Sequence, residues 1–145
     1  MTEIAFHFGA PDKLAYTCRL LRKAVGSGAS VRVVGDAVTV AQLDADLWAL
    51  SPTDFVPHCL GSAEALLQER SPVVLTAGVD PASGAREVLV NLGDAVPGGF
   101  DTFNRLIEVV STDGVDRGLA RSRWKFYTER GYVIARHDLA LKRSD

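Results

Sequence analysis

The feature that most limits the folds open to this chain is a change of hydrophobic period, repeated twice within its first fifty residues. "EIAFHFG" alternates apolar and other side chains and stops at Gly9, which predicts a strand. After Pro11-Asp12, "KLAYTCRLLRKAVGSG" places Leu14, Cys18, Leu21 and Ala24 at three-to-four spacing and ends at Gly26, which predicts a helix. "SVRVVGD" is β-branched and short, hence a second strand. "DAVTVAQLDADLWAL" then reads as a second helix with Val38, Leu43 and Leu47 on one side, closing near Ser51-Pro52. A βαβα opening is the pattern of an α/β domain, with a mostly parallel, mixed sheet flanked by helices.

The middle of the chain is less periodic. "SPVVLTA" and "REVLVNL" are strand candidates separated by "GVDPASGA", whose Asp-Pro and Ser-Gly steps mark turns, so the two form a hairpin or pair with other strands. "FDTFNRLIEVV" reads as a short helix running into a strand. Residues 117 to 132 form a further helix, "YVIARHDL" a last strand and "LKRSD" a frayed tail. With no repeat or linker, residues 1 to 145 make one domain, long enough to bury a core without disulfide or metal support.

Several function classes are disfavoured. The N-terminus has no signal-peptide pattern, and no run of about 18 apolar residues occurs, so a membrane span is not expected. Cys18 and Cys59 are 41 positions apart in no metal or redox spacing, which suits two buried thiols in a reducing cytoplasm. "GSGAS" at 26 to 30 lacks the lysine and glycine spacing of a phosphate-binding loop and is read as a helix end. The Gly-Asp pairs at 35–36 and 93–94 follow apolar runs, where the aspartates can start the next segment as N-caps. His58-Cys59 has no further ligand or base beside it, and no serine lies in a nucleophile elbow. The sequence therefore points to a noncatalytic protein without a cofactor or metal.

Charge is segregated. Residues 117 to 145 hold eight of the sixteen Lys and Arg against three carboxylates, a net +5, which leaves residues 1 to 116 at −7. A broad positive field for duplex DNA is missing, but a local cationic patch is present. It centres on "RGLARSRWKFYTERGY", where basic and aromatic residues interleave. On a helical projection with Arg117 at the origin, Arg121 falls at about 40°, Lys125 at about 80° and Trp124 at about 340°. Leu119, Phe126 and Tyr127 fall between about 180° and 280°, on the side expected to face the sheet. One reading is a solvated helix whose long stems cover apolar neighbours. An exposed Trp among arginines favours a binding patch of Arg117, Arg121, Trp124 and Lys125, fit for carboxylates beside an apolar anchor. The same mixture suits single-stranded nucleic acid, the alternative function.

A second place of interest is "LDADLWALSPTDFVPHCL", residues 43 to 60. Trp48 ends a helix there, and Phe55 lies in a stretch held extended by flanking prolines. The rings either fill the core or form an apolar docking surface.

These residues carry a resemblance. "LDADLWALSPTDFVPHCL", "REVLVNL" and "LARSRWKFYTERGY" together resemble the chi subunit of bacterial DNA polymerase III holoenzyme, over nearly the whole chain from "AFHF" to "YVIARHDL". The resemblance implies an α/β domain like nucleotide-binding sheets but without their phosphate-binding loop. It implies a noncatalytic, clamp-loader-associated replication subunit that binds the acidic C-terminal tail of single-stranded-DNA-binding protein, a tail ending in Phe, and so reaches DNA indirectly. Carried over, the tail site is Arg117, Arg121, Trp124 and Lys125, with Trp124 where another aromatic is usual. Thr128 replaces an expected basic residue, for which Arg130 is the candidate substitute. Trp48 and Phe55 correspond to the surface for the psi subunit or, alternatively, a repair helicase.

Overall fold

The computed structural model describes residues 2–50, 53, 55–78 and 86–139. The strands are β1 (Glu3–Ala10), β2 (Val31–Gly35), β3 (His58–Leu60), β4 (Val73–Ala77), β5 (Val88–Asn91), β6 (Arg105–Ser111) and β7 (Ile134–Asp138). The helices are α1 (Lys13–Gly26), α2 (Ala37–Trp48), α3 (Ala65–Arg70) and α4 (Gly114–Glu129). The strands join in one sheet of order β3-β4-β2-β5-β6-β1-β7. Every pairing in it is parallel. The expected mixed sheet is thus all-parallel.

Burial on both faces explains why the central strands are rich in Val, Leu and Ile on both sides, interrupted by the buried polar residues Arg32, Asn91 and Glu108. All residues of β2 and β5 are buried. Along β6, Ile107 and Val109 join the core beneath α1 and α2, while Leu106 and Val110 join the core beneath α4. Cys18, Leu21, Val40, Leu43 and Leu47 cover the first face. Phe6, Phe100, Phe103, Ala120 and Tyr127 fill the second. Each long helix begins on an aspartate that accepts backbone N–H groups of the first turn. Asp12 takes that of Ala15 at 3.0 Å, Asp36 that of Thr39 at 2.7 Å, and Asp113 those of Val115 and Asp116 at 3.1 Å.

Of the two arrangements left open for "SPVVLTA" and "REVLVNL", the second holds: they form no hairpin but pair with another strand, β2, which lies between β4 and β5. Two expectations need correction. Val38 is 81% exposed, and Val40 takes its place in the core. On a helix Val38 lies about 140° from Leu43 whereas Val40 lies about 60° from it, so only Val40 shares the buried stripe. Asp94 starts no helix, although Asp36 does. "FDTFNRLIEVV" holds both elements expected of it, a 3₁₀ turn at Phe100–Thr102 and then β6. Gly28 follows the end of α1 at φ 85°, the left-handed conformation that glycine adopts without strain. Ser51-Pro52, most of "GVDPASGA" and the tail 141–145 lie outside the described residues.

Candidate functional site

Helix α4 begins three residues before Arg117, and two polar anchors set its rotation over the sheet. Near its N-terminus, Asp116 accepts the Ser111 N–H at 2.8 Å and pairs with Lys13 of α1 at 3.2 Å. Burial pushes the Asp116 carboxyl up, but the Ser111 N–H and the Lys13 charge outweigh it and hold the group below its ordinary value. Further along, α4 turns Arg123 and Tyr127 onto Glu108, a fully buried carboxylate in the middle of β6. Arg123 Nε donates to Glu108 Oε1 at 3.0 Å, the Tyr127 hydroxyl donates to Oε2 at 2.6 Å, and Asn91 Nδ2 reaches both oxygens at 3.0 and 3.1 Å. Arg123 Nη1 donates to the Asp94 carbonyl at 3.0 Å. Burial pushes the Glu108 carboxyl up, while Arg123, Tyr127 and Asn91 oppose that shift. Burial and the adjacent Glu108 charge push the Tyr127 hydroxyl up, so it stays a donor.

With Arg123 and Tyr127 turned inward, the next face of α4 looks across the sheet edge toward β1 and β7. There it encloses a pocket of about 320 Å³ lined by Phe6, Phe8, Val110, Arg117, Ala120, Arg121, Trp124 and Arg136. The base is apolar and aromatic, and the cations are arginines. Of the four residues expected to form one patch, the pocket unites Arg117, Arg121 and Trp124. Lys125 lies outside its lining, 76% exposed and 3.8 Å from Glu129 on the next turn. Trp124 is not the fully exposed ring that helical projection suggests. It is half-buried, with its ring centre 5.0 Å from that of Phe6. Phe126 and Tyr127 pack toward Phe100 as expected of the inner face.

The exchange at Thr128 is also visible. Its hydroxyl donates back to the Lys125 carbonyl at 3.0 Å. Arg130 stacks on Phe126, 3.4 Å from the ring centre, donates to the Phe126 carbonyl at 3.2 Å and is not among the pocket residues. The residues that sequence reasoning missed are Glu108, Arg123 and Arg136.

The second region is an exposed aromatic cluster. Trp48 at the end of α2 is 62% exposed and Phe55 is 37% exposed, so neither ring fills the core. Their centres lie 5.2 Å apart, and His58 is 5.1 Å from Trp48 and 5.9 Å from Phe55. His58 forms the fixed base of this cluster. Its Nδ1 donates to the Val56 carbonyl at 2.6 Å and its Nε2 lies 3.1 Å from Asp44 Oδ1. Cys59 and Cys18 are buried free thiols. Among the described residues no group of three His, Cys, Asp or Glu could hold a metal ion, and no helix is long and apolar enough to cross a membrane.

Comparison with solved structures shows the fold. The chain is similar to a yeast Dbp5 variant solved with nup159, gle1, ip6 and adp, with TM-score 0.62 and 14% identity over 99% of this chain and 42% of that one. It is also similar to the C-terminal domain of the DEAD-box protein Dbp5, with TM-score 0.59 and 14% identity over 97% and 91% of the two chains. These are RecA-like domains. Among curated proteins, it is 34% identical to DNA polymerase III subunit chi of Pseudomonas aeruginosa over 128 residues, 88% of this chain and 87% of that one. It is 29% identical to the subunit of the same name from Haemophilus influenzae over 119 residues, 81% of each. The family model for "DNA polymerase III chi subunit, HolC" matches residues 1–135, and the chain therefore belongs to the chi-subunit family of DNA polymerase III.

Proposed function

We propose that the chain is a noncatalytic linker of the replicative polymerase, holding the acidic C-terminal tail of single-stranded-DNA-binding protein in the α4 pocket. The chi family is a family of replication accessory subunits, and the tail and its site are our reading of this chain. The observation that carries it is the composition of the pocket, in which Arg117 and Arg121 border a base of Phe6, Phe8 and Trp124. An acidic peptide ending in an aromatic residue matches both halves, carboxylates to guanidinium forks and ring to rings. The ion pairs among the described residues involve neither Arg117 nor Arg121, so both are available to a partner. Lys125 stands beside the pocket as a further charge for acids upstream of the chain end.

The second part of the proposal is that Trp48 and Phe55 dock an apolar partner, the psi subunit of the clamp loader or, in its absence, a repair helicase. Two adjacent exposed rings on a fixed His58 base support this, since large exposed aromatics in contact are enriched at protein interfaces.

Direct binding of single-stranded nucleic acid calls for a row of rings free to stack on successive bases. Helix α4 offers no such row, because Trp124 rests on Phe6, Phe126 on Phe100 and Arg130, and Tyr127 is buried. Anisotropy titrations decide between the two. The full chain should bind a labelled acidic peptide ending in Phe, more weakly as salt rises, and should leave a labelled oligonucleotide unbound at the same salt. Binding of the oligonucleotide alone would sink the proposal.

A further inference from the structure

Arg32, in β2, is a cation only 2% exposed, and the ion pairs among the described residues involve neither it nor Arg86, which precedes β5. Arg86 has another task. Its Nη1 donates to the carbonyls of Ser71 at 2.7 Å and Pro72 at 3.1 Å, and its Nη2 to that of Gln68, which closes the end of α3. Arg32 donates from Nη1 to the Thr76 hydroxyl of β4 at 2.6 Å, but its Nε is buried without a hydrogen-bond partner. A buried charged donor left unpaired is costly, so an acceptor of opposite charge would belong beside it.

Cys59 shares the row of Arg32. The registers Arg32↔Val74 and Cys59↔Val74 put the three residues on one line across β2, β4 and β3, on the face turned away from Val31, Val33, Val73 and Leu75 of the α1 and α2 core. The Thr76 bond draws the Arg32 guanidinium over β4 toward β3, and the residue after β3 closes on the same hydroxyl, since a Cβ at Gly61 would lie 2.9 Å from Thr76 Oγ1. Burial and the charge of Arg86 push the Arg32 guanidinium down from its ordinary value, and only Cys59 acts the other way. Access is plausible on structural grounds: β3 is an edge strand of three residues and α3 buries none of its own, so this corner opens locally at lower cost than the body of the sheet. The chain also supplies a control. Cys18 is 7% exposed, as Cys59 is, but burial and the carboxylates of Asp46 and Asp12 push its thiol up.

We propose that Cys59 is the reactive thiol of this chain, a site of oxidation by hydrogen peroxide, whose oxidised anion is held by Arg32 beside the charge of Arg86. In the first step the sulfur gives up its proton and attacks one peroxide oxygen. The S–O bond forms, the O–O bond breaks, and the departing hydroxide takes up the proton and leaves as water, so that sulfur is oxidised and the peroxide reduced. A second peroxide adds a second oxygen in the same way, and the resulting sulfinate supplies the acceptor that Arg32 Nε lacks. Negative charge grows on oxygen in both steps, where the guanidinium stabilises it. The modified residue follows His58, whose ring lies against those of Trp48 and Phe55, so the mark falls next to the second docking surface.

The test exposes the full chain, as wild type, Arg32→Met and Arg32→Lys, to a modest excess of hydrogen peroxide, and follows oxygen uptake at each cysteine by peptide mass spectrometry in buffer and in urea. In the folded wild type Cys59 should be oxidised about tenfold faster than Cys18. Arg32→Met should slow Cys59 and remove most of that lead with the Cys18 rate unchanged, whereas Arg32→Lys, which keeps the charge, should retain most of it. In urea the two thiols should react alike. Equal rates in the folded wild type, or a lead that survives in Arg32→Met or in urea, would overturn the proposal. So would a lead lost only because Cys18 speeds up, since that is the mark of a loosened sheet and not of a missing cation.

Discussion

The chain has two tryptophans, and their surroundings differ in almost every respect. Trp124 is half-buried over Phe6 at the mouth of a concave pocket walled by arginines. Trp48 projects from the end of α2, 62% exposed, against Phe55 and His58, whose Nε2 lies 3.1 Å from Asp44. A concave, cationic place suits a small charged chain end. An exposed, apolar one suits a larger partner that brings its own hydrophobic surface. The difference rests on what lies beneath: α4 is fixed to the sheet by a buried polar network, whereas Trp48, at the end of its helix, lies against the rings of Phe55 and His58.

The largest effect should come from removing that network. Arg123→Met leaves Glu108 as an uncompensated buried carboxylate and should cost about 3–5 kcal/mol in urea denaturation. A loss under about 1 kcal/mol would mean that α4 is held mainly by its apolar face. Trp124→Ala should cost about 2 kcal/mol, because the ring is half-buried, and should also abolish measurable tail binding. Trp48→Ala should stay within about 0.5 kcal/mol of wild-type stability, its deficit appearing only in copurification with a partner. Equal stability losses in the two tryptophan variants would break the contrast. Arg121→Ala should weaken the tail peptide about tenfold at low salt and less at high salt.

Smaller still is the pH dependence carried by Asp116. Its carboxyl is held below the ordinary value, so its stabilisation is complete above about pH 4 and is lost as pH falls through the folded-state value. The stability gap between the wild type and Asp116→Asn should therefore close on acidification below about pH 4, as followed by denaturation at a series of pH values. A gap that stays constant would show that the Ser111 and Lys13 contacts contribute little.

Part of this was legible in the sequence and part was not, for physical reasons. The α/β sheet followed from the βαβα opening, and its covered faces show in runs such as "VRVV" and "VLVN", where every residue is buried, Arg32 and Asn91 included. β3 and α3 left no signal, since three residues at a sheet edge show no period and α3 buries none of its residues. Helical projection placed Arg117 and Arg121 correctly but treated α4 as a cylinder on a plane, so it could not show Phe6 rising beneath Trp124. It did contain a clue to the buried network. Arg123 falls at about 240°, between Phe126 and Tyr127 on the apolar side, and Glu108 interrupts "RLIEVV", so an acid and a base were each out of place. Arg136 had no such mark, because only the return of β7 beside β1 brings it to the pocket.

The most direct test of the central claim uses the indole N–H signals of Trp48 and Trp124 in a ¹⁵N-labelled chain. On titration with the acidic peptide ending in Phe, the Trp124 signal should move progressively and saturate while that of Trp48 stays in place. Movement of the Trp48 signal with that of Trp124 unmoved would put the tail on the wrong face of the molecule and contradict the account.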